Sequence, residues 1–251
     1  MMGIEKFNTF THTAQKISKT VYHFDNEGPA IIVMHELTGL TAECIALGER
    51  LLERGFSVYM PLMFGKPNSR KTSSNLFGLC ISLEFNLFAK GQTSAMVEWM
   101  RDLCRTIHAK RGGKGLGAIG MCMTGNFAIP LAIEPSMLAP VVTQPSLPFP
   151  LTEVHKSDLG LSIKDLEEAK ARIKKDNIVI KSYRFVTDPF VAKSRMERFE
   201  KFFGKDVFQY RDVPANKPCH SILTGDFVNE PNHPTYQVFE EIIDFFDERL
   251  C

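Results

Sequence analysis

Gly115-Leu116-Gly117-Ala118-Ile119-Gly120-Met121-Cys122-Met123-Thr124-Gly125 is the stretch that decides how this chain is read. A short apolar strand runs into Gly120, and a cysteine follows after one residue. Gly125 then precedes Asn126-Phe127-Ala128-Ile129, where a helix is expected to begin. Strand, tight turn bearing a nucleophile, then helix is the pattern of a nucleophile elbow, with cysteine where such turns more often carry serine. Small residues are needed there because the turn is strained and side chains beside it would crowd the nucleophile. The following helix aims its N-terminus at the sulfur, which favours thiolate and leaves N–H groups for an oxyanion. On that reading Cys122 attacks an acyl carbonyl. The plainer alternative is a buried structural cysteine after a core strand.

Working outward, strands and helices alternate. Val21-Tyr22-His23-Phe24-Asp25 alternates in polarity and predicts an early strand, and Ala30-Ile31-Ile32-Val33-Met34-His35 is the continuous apolar run of a buried parallel strand. Thr41 caps an expected helix to Glu53, stopped by Gly55, and residues 56 to 61 form the next strand. Further helices are expected near residues 91 to 110, 164 to 174, 190 to 203 and 236 to 250. The charged one, 164 to 174, reads as a solvated face. Further strands are expected over 138 to 143, 178 to 185 and 207 to 210. Residues 62 to 82 and the proline-rich start of 144 to 177 are irregular candidates for a lid. Repeated β-α-β units with right-handed crossovers give one mostly parallel central sheet with helices on both faces. No repeat or linker interrupts residues 1 to 251, so a single α/β domain is expected.

Bulk properties narrow the function. The chain of 251 residues is 44% apolar and carries a formal charge of +1, so it has no electrostatic footprint for nucleic acid and no polybasic membrane patch. No apolar run approaches the roughly 20 residues of a membrane span. Met1-Met2-Gly3-Ile4-Glu5-Lys6 carries no apolar stretch of a secretory signal. Six scattered cysteines with no CxxC pair and no zinc spacing fit reduced thiols in a cytoplasm. No metal or organic cofactor is called for.

Chemistry in such sheets lies beyond the carboxyl ends of the strands. A nucleophile needs a base, and the base an orienter. Asp188 follows the strand ending at Phe185, and His220 lies on the loop before the last helix. The order Cys122, Asp188, His220 is that of nucleophile, acid and histidine in α/β hydrolases. Each has a bland alternative. Asp188 before Pro189 can cap a helix, a loop histidine can simply be solvated, and His233 competes as base. Glu36 closes the buried strand, where a carboxylate is costly unless paired; a salt bridge to a nearby Lys or Arg is its plain reading. The N–H of Leu37 is expected to join that of Met123 as an oxyanion hole. His35 is expected to pack under the loop. Phe64, Phe77, Phe85, Phe88 and Phe149 are candidates for an apolar pocket.

With these residues assembled, the chain resembles the dienelactone hydrolase family of α/β hydrolases. The carriers are Met34-His35-Glu36-Leu37-Thr38-Gly39-Leu40, Gly120-Met121-Cys122-Met123-Thr124-Gly125, Asp188-Pro189 and His220-Ser221. The resemblance implies an α/β-hydrolase fold and a Cys122, Asp188, His220 triad, with Glu36 holding the resting thiol and helping to generate thiolate when substrate arrives. It implies a small-molecule ester or lactone substrate in a monomer or homodimer. Two departures stand out. Thr124 occupies a position that is usually glycine in the family. Thr224, four residues after His220, stands where family members that bind the dienelactone carboxylate have arginine; Arg70 and Lys66 are other candidate cations. A small ester, lactone or thioester is therefore expected rather than dienelactone itself. Two rival readings follow: a slow esterase or acyl-transfer enzyme whose acyl-cysteine deacylates slowly, or a non-catalytic scaffold whose Cys122 is a redox-sensitive or ligand-binding thiol.

Overall fold

A computed structural model of the protein describes residues 3–68 and 95–251. Strands β1 (Asn8–Ala14), β2 (Ile17–Phe24), β3 (Ala30–Met34), β4 (Ser57–Pro61), β5 (Leu116–Met121), β6 (Met137–Thr143), β7 (Ile180–Phe185) and β8 (Phe208–Val213) form one sheet in the order β1-β2-β4-β3-β5-β6-β7-β8. The pairings from β4 through β3, β5, β6 and β7 to β8 are all parallel. Every residue of β3, β4 and β5 is buried, as continuous apolar strands require when both faces are covered.

Helices α1 (Ala42–Glu53), α2 (Ala95–Arg111), α3 (Gly125–Leu131), α4 (Glu153–Ser157), α5 (Ile163–Asp176), α6 (Lys193–Phe203) and α7 (Pro234–Leu250) pack on the two faces. The alternation along β3 shows how. Ile31 and Val33 point into the core formed with α1 and α7, whereas Ile32 and Met34 point into the one formed with α2, α3, α5 and α6. Gly117 on β5 lets Phe246 of α7 approach; a Cβ there would sit 2.9 Å from the ring.

Several boundaries differ from the sequence expectation. The early strand is one arm of a hairpin, β1–β2, antiparallel in register from Asn8↔His23 to Ala14↔Ile17. Its two-residue turn places Gln15 at φ 52° and Lys16 at φ 63°, the left-handed pair that a primed turn needs, supplied here without glycine or asparagine. The helix expected over 190 to 203 starts only at Lys193, because residues 188 to 191 fold into a turn around the Asp188 carboxylate. The irregular stretch from 144 contains α4. Helix α5 is not simply a solvated face: Asp165, Leu166, Ala169 and Ile173 are buried, and Asp165 accepts from the buried Arg101 guanidinium at 3.1 Å.

The segment 144 to 160 is held in place rather than hanging free. Arg195 on α6 is fully buried and donates to the carbonyls of Pro145 (2.8 Å), His155 (2.7 Å) and Asp158 (2.9 Å), and also to that of Pro148. Asn126 on α3 donates to the carbonyls of Leu147 and Leu159, both at 2.9 Å, and accepts from Leu147 N–H. Of the other candidate lid, 62 to 82, residues 69 onward lie outside the described residues, as do Arg70, Phe77, Phe85 and Phe88.

Candidate active site

The elbow follows from the local sequence. Strand β5 ends at Met121, Cys122 takes φ 58°, and residues 122 to 124 make one 3-10 turn that runs into α3. A cysteine at positive φ is strained and persists only where its surroundings over-determine it. The surroundings here are tight. A Cβ on Gly120 would lie 2.5 Å from Thr124 O, and one on Gly125 would lie 2.9 Å from Thr143 O. Thr124 fits because its hydroxyl is used. It accepts from Met121 N–H at 3.1 Å and lies 2.9 Å from Met34 O and 2.8 Å from Met121 O, one of which takes its proton. The hydroxyl thus braces the turn against the end of β3.

Asp188 sits at the end of β7 with its side chain fully buried. One oxygen accepts from the N–H groups of Phe190 (2.8 Å) and Val191 (3.1 Å), and Arg184 donates to Val191 O at 2.6 Å, which fixes the turn. Asp188 therefore holds a turn and does not cap the following helix, whose N-cap is Ala192 without a side-chain bond; its second partner is the histidine. The same carboxylate receives His220 Nδ1 at 2.8 and 3.0 Å. His220 is placed by Asp226, whose carboxylate accepts from the N–H groups of His220 and Ser221, both at 2.9 Å. Nothing in the sequence pattern singled out Asp226; an Asp beyond a candidate histidine, at a turn, is the signal available.

Nδ1 is taken by Asp188, so Nε2 is left for the sulfur. That atom is buried and closes no conventional hydrogen bond among the described residues. Burial pushes the imidazole down, but the Asp188 hydrogen bond, together with the neighbouring Cys122 sulfur, overrides it and raises the pKa from 6.5 to about 10. Phe190 meets the ring edge-on at 5.1 Å, and Phe149 packs on Phe190.

Cys122 is 8% exposed. Its Sγ lies 3.3 Å from the hydroxyl of Ser146, a residue the sequence reading did not single out. Glu36 has other partners than the thiol: its carboxylate accepts from Gln144 Nε2 and from Thr224 Oγ1, both at 2.9 Å. No ion pair with a Lys or Arg joins it among the described residues; two neutral donors satisfy the buried charge. Thr224, standing where arginine is expected from the resemblance, is one of them. Glu36, Thr38, Ser221 and Thr224 line a cavity of about 170 Å³. Leu37 follows Glu36 and Met123 follows Cys122, so both candidate oxyanion donors belong to backbone at this sheet edge.

His35 is fully buried. Its Nδ1 donates to Glu36 O at 2.8 Å, its Nε2 accepts from Met63 N–H at 3.1 Å, and Phe64 stacks edge-on at 4.5 Å. Desolvation lowers its pKa to about 4. His233 caps α7, accepting from Thr235 N–H. Among the described residues no group of His, Cys, Asp and Glu is placed to hold a metal, and no helix is long and apolar enough to cross a membrane.

A family model described as the dienelactone hydrolase family matches residues 17–210. Solved structures share the fold at low identity. A dienelactone-hydrolase-like promiscuous phosphotriesterase from metagenomic libraries superposes with a TM-score of 0.67 at 16% identity, covering 98% of this chain and 99% of its own. A cold-adapted esterase from an Arctic intertidal metagenomic library gives 0.64 at 15% identity over the whole of both chains. Est1E from Butyrivibrio proteoclasticus gives 0.61 at 14% identity over 96% of this chain and 98% of its own. No curated protein sequence gives a significant match.

Proposed function

The chain belongs to the dienelactone hydrolase family and is a carboxylic ester hydrolase; we propose that it cleaves a small ester or lactone through an acyl intermediate on Cys122. The observation that carries this reading is the pairing of a strained Cys122, at φ 58° on the elbow, with a histidine whose Nδ1 is held 2.8 Å from a buried aspartate.

The roles follow from the chemistry. Cys122 thiolate attacks the carbonyl carbon. The N–H groups of Leu37 and Met123 hold the oxyanion, an effect worth on the order of 3 kcal/mol per donor. His220 protonates the leaving oxygen through Nε2 and then takes a proton from the water that deacylates Cys122. Asp188 fixes the tautomer and favours the charged imidazolium. Glu36, held by Gln144 and Thr224, anchors the backbone that presents Leu37. With Thr224 neutral, a substrate lacking a carboxylate fits better than dienelactone. A cytoplasmic setting suits a nucleophile that must stay a thiol.

The deciding experiment is pre-steady-state hydrolysis of p-nitrophenyl acetate by wild type and Cys122→Ala. A burst in the wild type that vanishes in the variant makes Cys122 the acyl acceptor. Equal traces without a burst, repeated with longer acyl chains and lactones, return the protein to a scaffold with a ligand-binding or redox-sensitive thiol.

A further inference from the structure

Cys122 and Ser146 meet twice. Ser146 N–H donates to Cys122 O at 3.1 Å, and the Ser146 hydroxyl lies 3.3 Å from Sγ. Ser146 is wholly buried, and its surroundings are built to keep it there. Arg195 grips Pro145 O on one side of it and Pro148 O on the other, and Asn126 exchanges two hydrogen bonds with Leu147. Gly125 permits the approach, since a Cβ there would come within 3.1 Å of Pro145 Cα. A hydroxyl pinned in a core against a nucleophile loses its water and has the sulfur as its neighbour.

We infer that Ser146 is a positioning residue for Cys122: its hydroxyl donates a hydrogen bond to the thiolate, which both favours that form and fixes its aim beside His220. The inference rests on the reading of Cys122 as the nucleophile. A thiolate accepts well, whereas a neutral S–H is a poor donor, so the bond is stronger when the sulfur is charged. The same sulfur is among the groups that raise the His220 pKa. With the Glu36 carboxylate occupied by Gln144 and Thr224, Ser146 holds the sulfur where the family resemblance had placed Glu36.

Among the described residues, the ionisable groups around the sulfur are few. His220 reaches it from the loop after β8, with Asp188 behind the ring, and Glu36 stands at the end of β3. Residues 123 to 131 of the elbow and α3, and residues 144 to 148, carry no ionisable side chain. A change in Cys122 ionisation on altering Ser146 is therefore attributable to the hydroxyl.

The test is the pH profile of iodoacetamide alkylation, read by mass spectrometry on the peptide that contains Cys122, in wild type, Ser146→Ala and Ser146→Gly. Both variants keep the main-chain bond to Cys122 O. The expected result is a midpoint displaced upward by about one pH unit in both, with several-fold slower alkylation at pH 7. A midpoint that stays in place, or moves down because the thiol had been donating to the serine, overturns the inference. The p-nitrophenyl acetate burst on the same preparations and on Cys122→Ala separates the two ideas. Loss of the burst in Cys122→Ala with an unmoved alkylation midpoint in the serine variants keeps the nucleophile and removes the Ser146 role. A burst that survives Cys122→Ala removes the nucleophile, while the midpoint still decides what Ser146 does to the thiol.

Discussion

His35 and His220 both follow strands of the same parallel sheet, and both are largely withdrawn from water, yet their protons are held in opposite ways. His35 is pushed down to about 4 and His220 up to about 10. Burial acts on both in the same direction, disfavouring the imidazolium. The difference lies in the partners. His35 gives its proton to a neutral carbonyl and receives an N–H from Met63, so it is satisfied as a neutral ring. His220 faces the Asp188 carboxylate on one side and the Cys122 sulfur on the other. A buried histidine thus holds its proton weakly or tightly according to whether it is given a charge to answer.

The comparison is broken most severely by removing His220, the proposed acid–base member. His220→Gln is expected to lower kcat/KM for p-nitrophenyl acetate by about 10⁴-fold, since both proton transfers go with it. Asp188→Asn is subtler and converts His220 into a second His35. The carboxylate that raises the imidazole is lost while the burial that lowers it stays. Activity should fall by about 10³-fold. The alkaline limb of the kcat/KM profile, set by an imidazolium that persists to about pH 10, should move toward neutral pH. A limb that stays near 10 in the Asn variant would mean that the sulfur alone holds the proton.

This contrast was only partly legible in the sequence. Gly120, Cys122 and Gly125, the strand-end Asp188 and the loop histidine could be read because each rule is local: a turn needs small residues, and parallel strands present their carboxyl ends together. Ser146 was invisible because it meets Cys122 only where β5 and β6 lie side by side and the loop after β6 folds over α3. Arg195 was hidden by its helix. In Lys193–Phe203 an arginine reads as one more solvated charge, and only the tertiary fold turns four carbonyls toward it. The hairpin turn at Gln15-Lys16 carries neither of the residues that announce left-handed backbone. What the sequence lacked in each case was a long-range approach, not a propensity.

The passive histidine sharpens the comparison through stability. The folded protein binds a proton on His35 only near pH 4, whereas the unfolded chain does so near 6.5. Between these values the unfolded chain holds more protons, so His35 makes stability fall as the pH falls. The full effect is about 3 kcal/mol by pH 4. His35→Gln keeps an acceptor for Met63 N–H but cannot titrate. Its urea-unfolding free energy should therefore be lower than that of wild type at pH 7.5, through imperfect fit, and should converge on wild type or exceed it as the pH is lowered toward 4. Parallel profiles would show that His35 takes up its proton at the same pH in the folded and unfolded chains.

The smallest effect is expected at the third histidine. Among the described residues His233 pairs with no carboxylate, and it is only partly buried. It is the N-cap of α7, where its Nδ1 accepts from Thr235 N–H at 3.3 Å and pairs with the Thr235 hydroxyl at 2.7 Å. A lost N-cap costs about 1 kcal/mol, or about 3 °C in a domain of this size. His233→Ala should lower the melting temperature by that much, and His233→Asn, a better cap, should restore it. Both should leave the p-nitrophenyl acetate burst within twofold of wild type, because this ring answers an N–H and not an ionised partner. A burst abolished in both variants with the fold intact would move the base from His220 to His233 and undo the distinction between a histidine that braces and one that carries a proton.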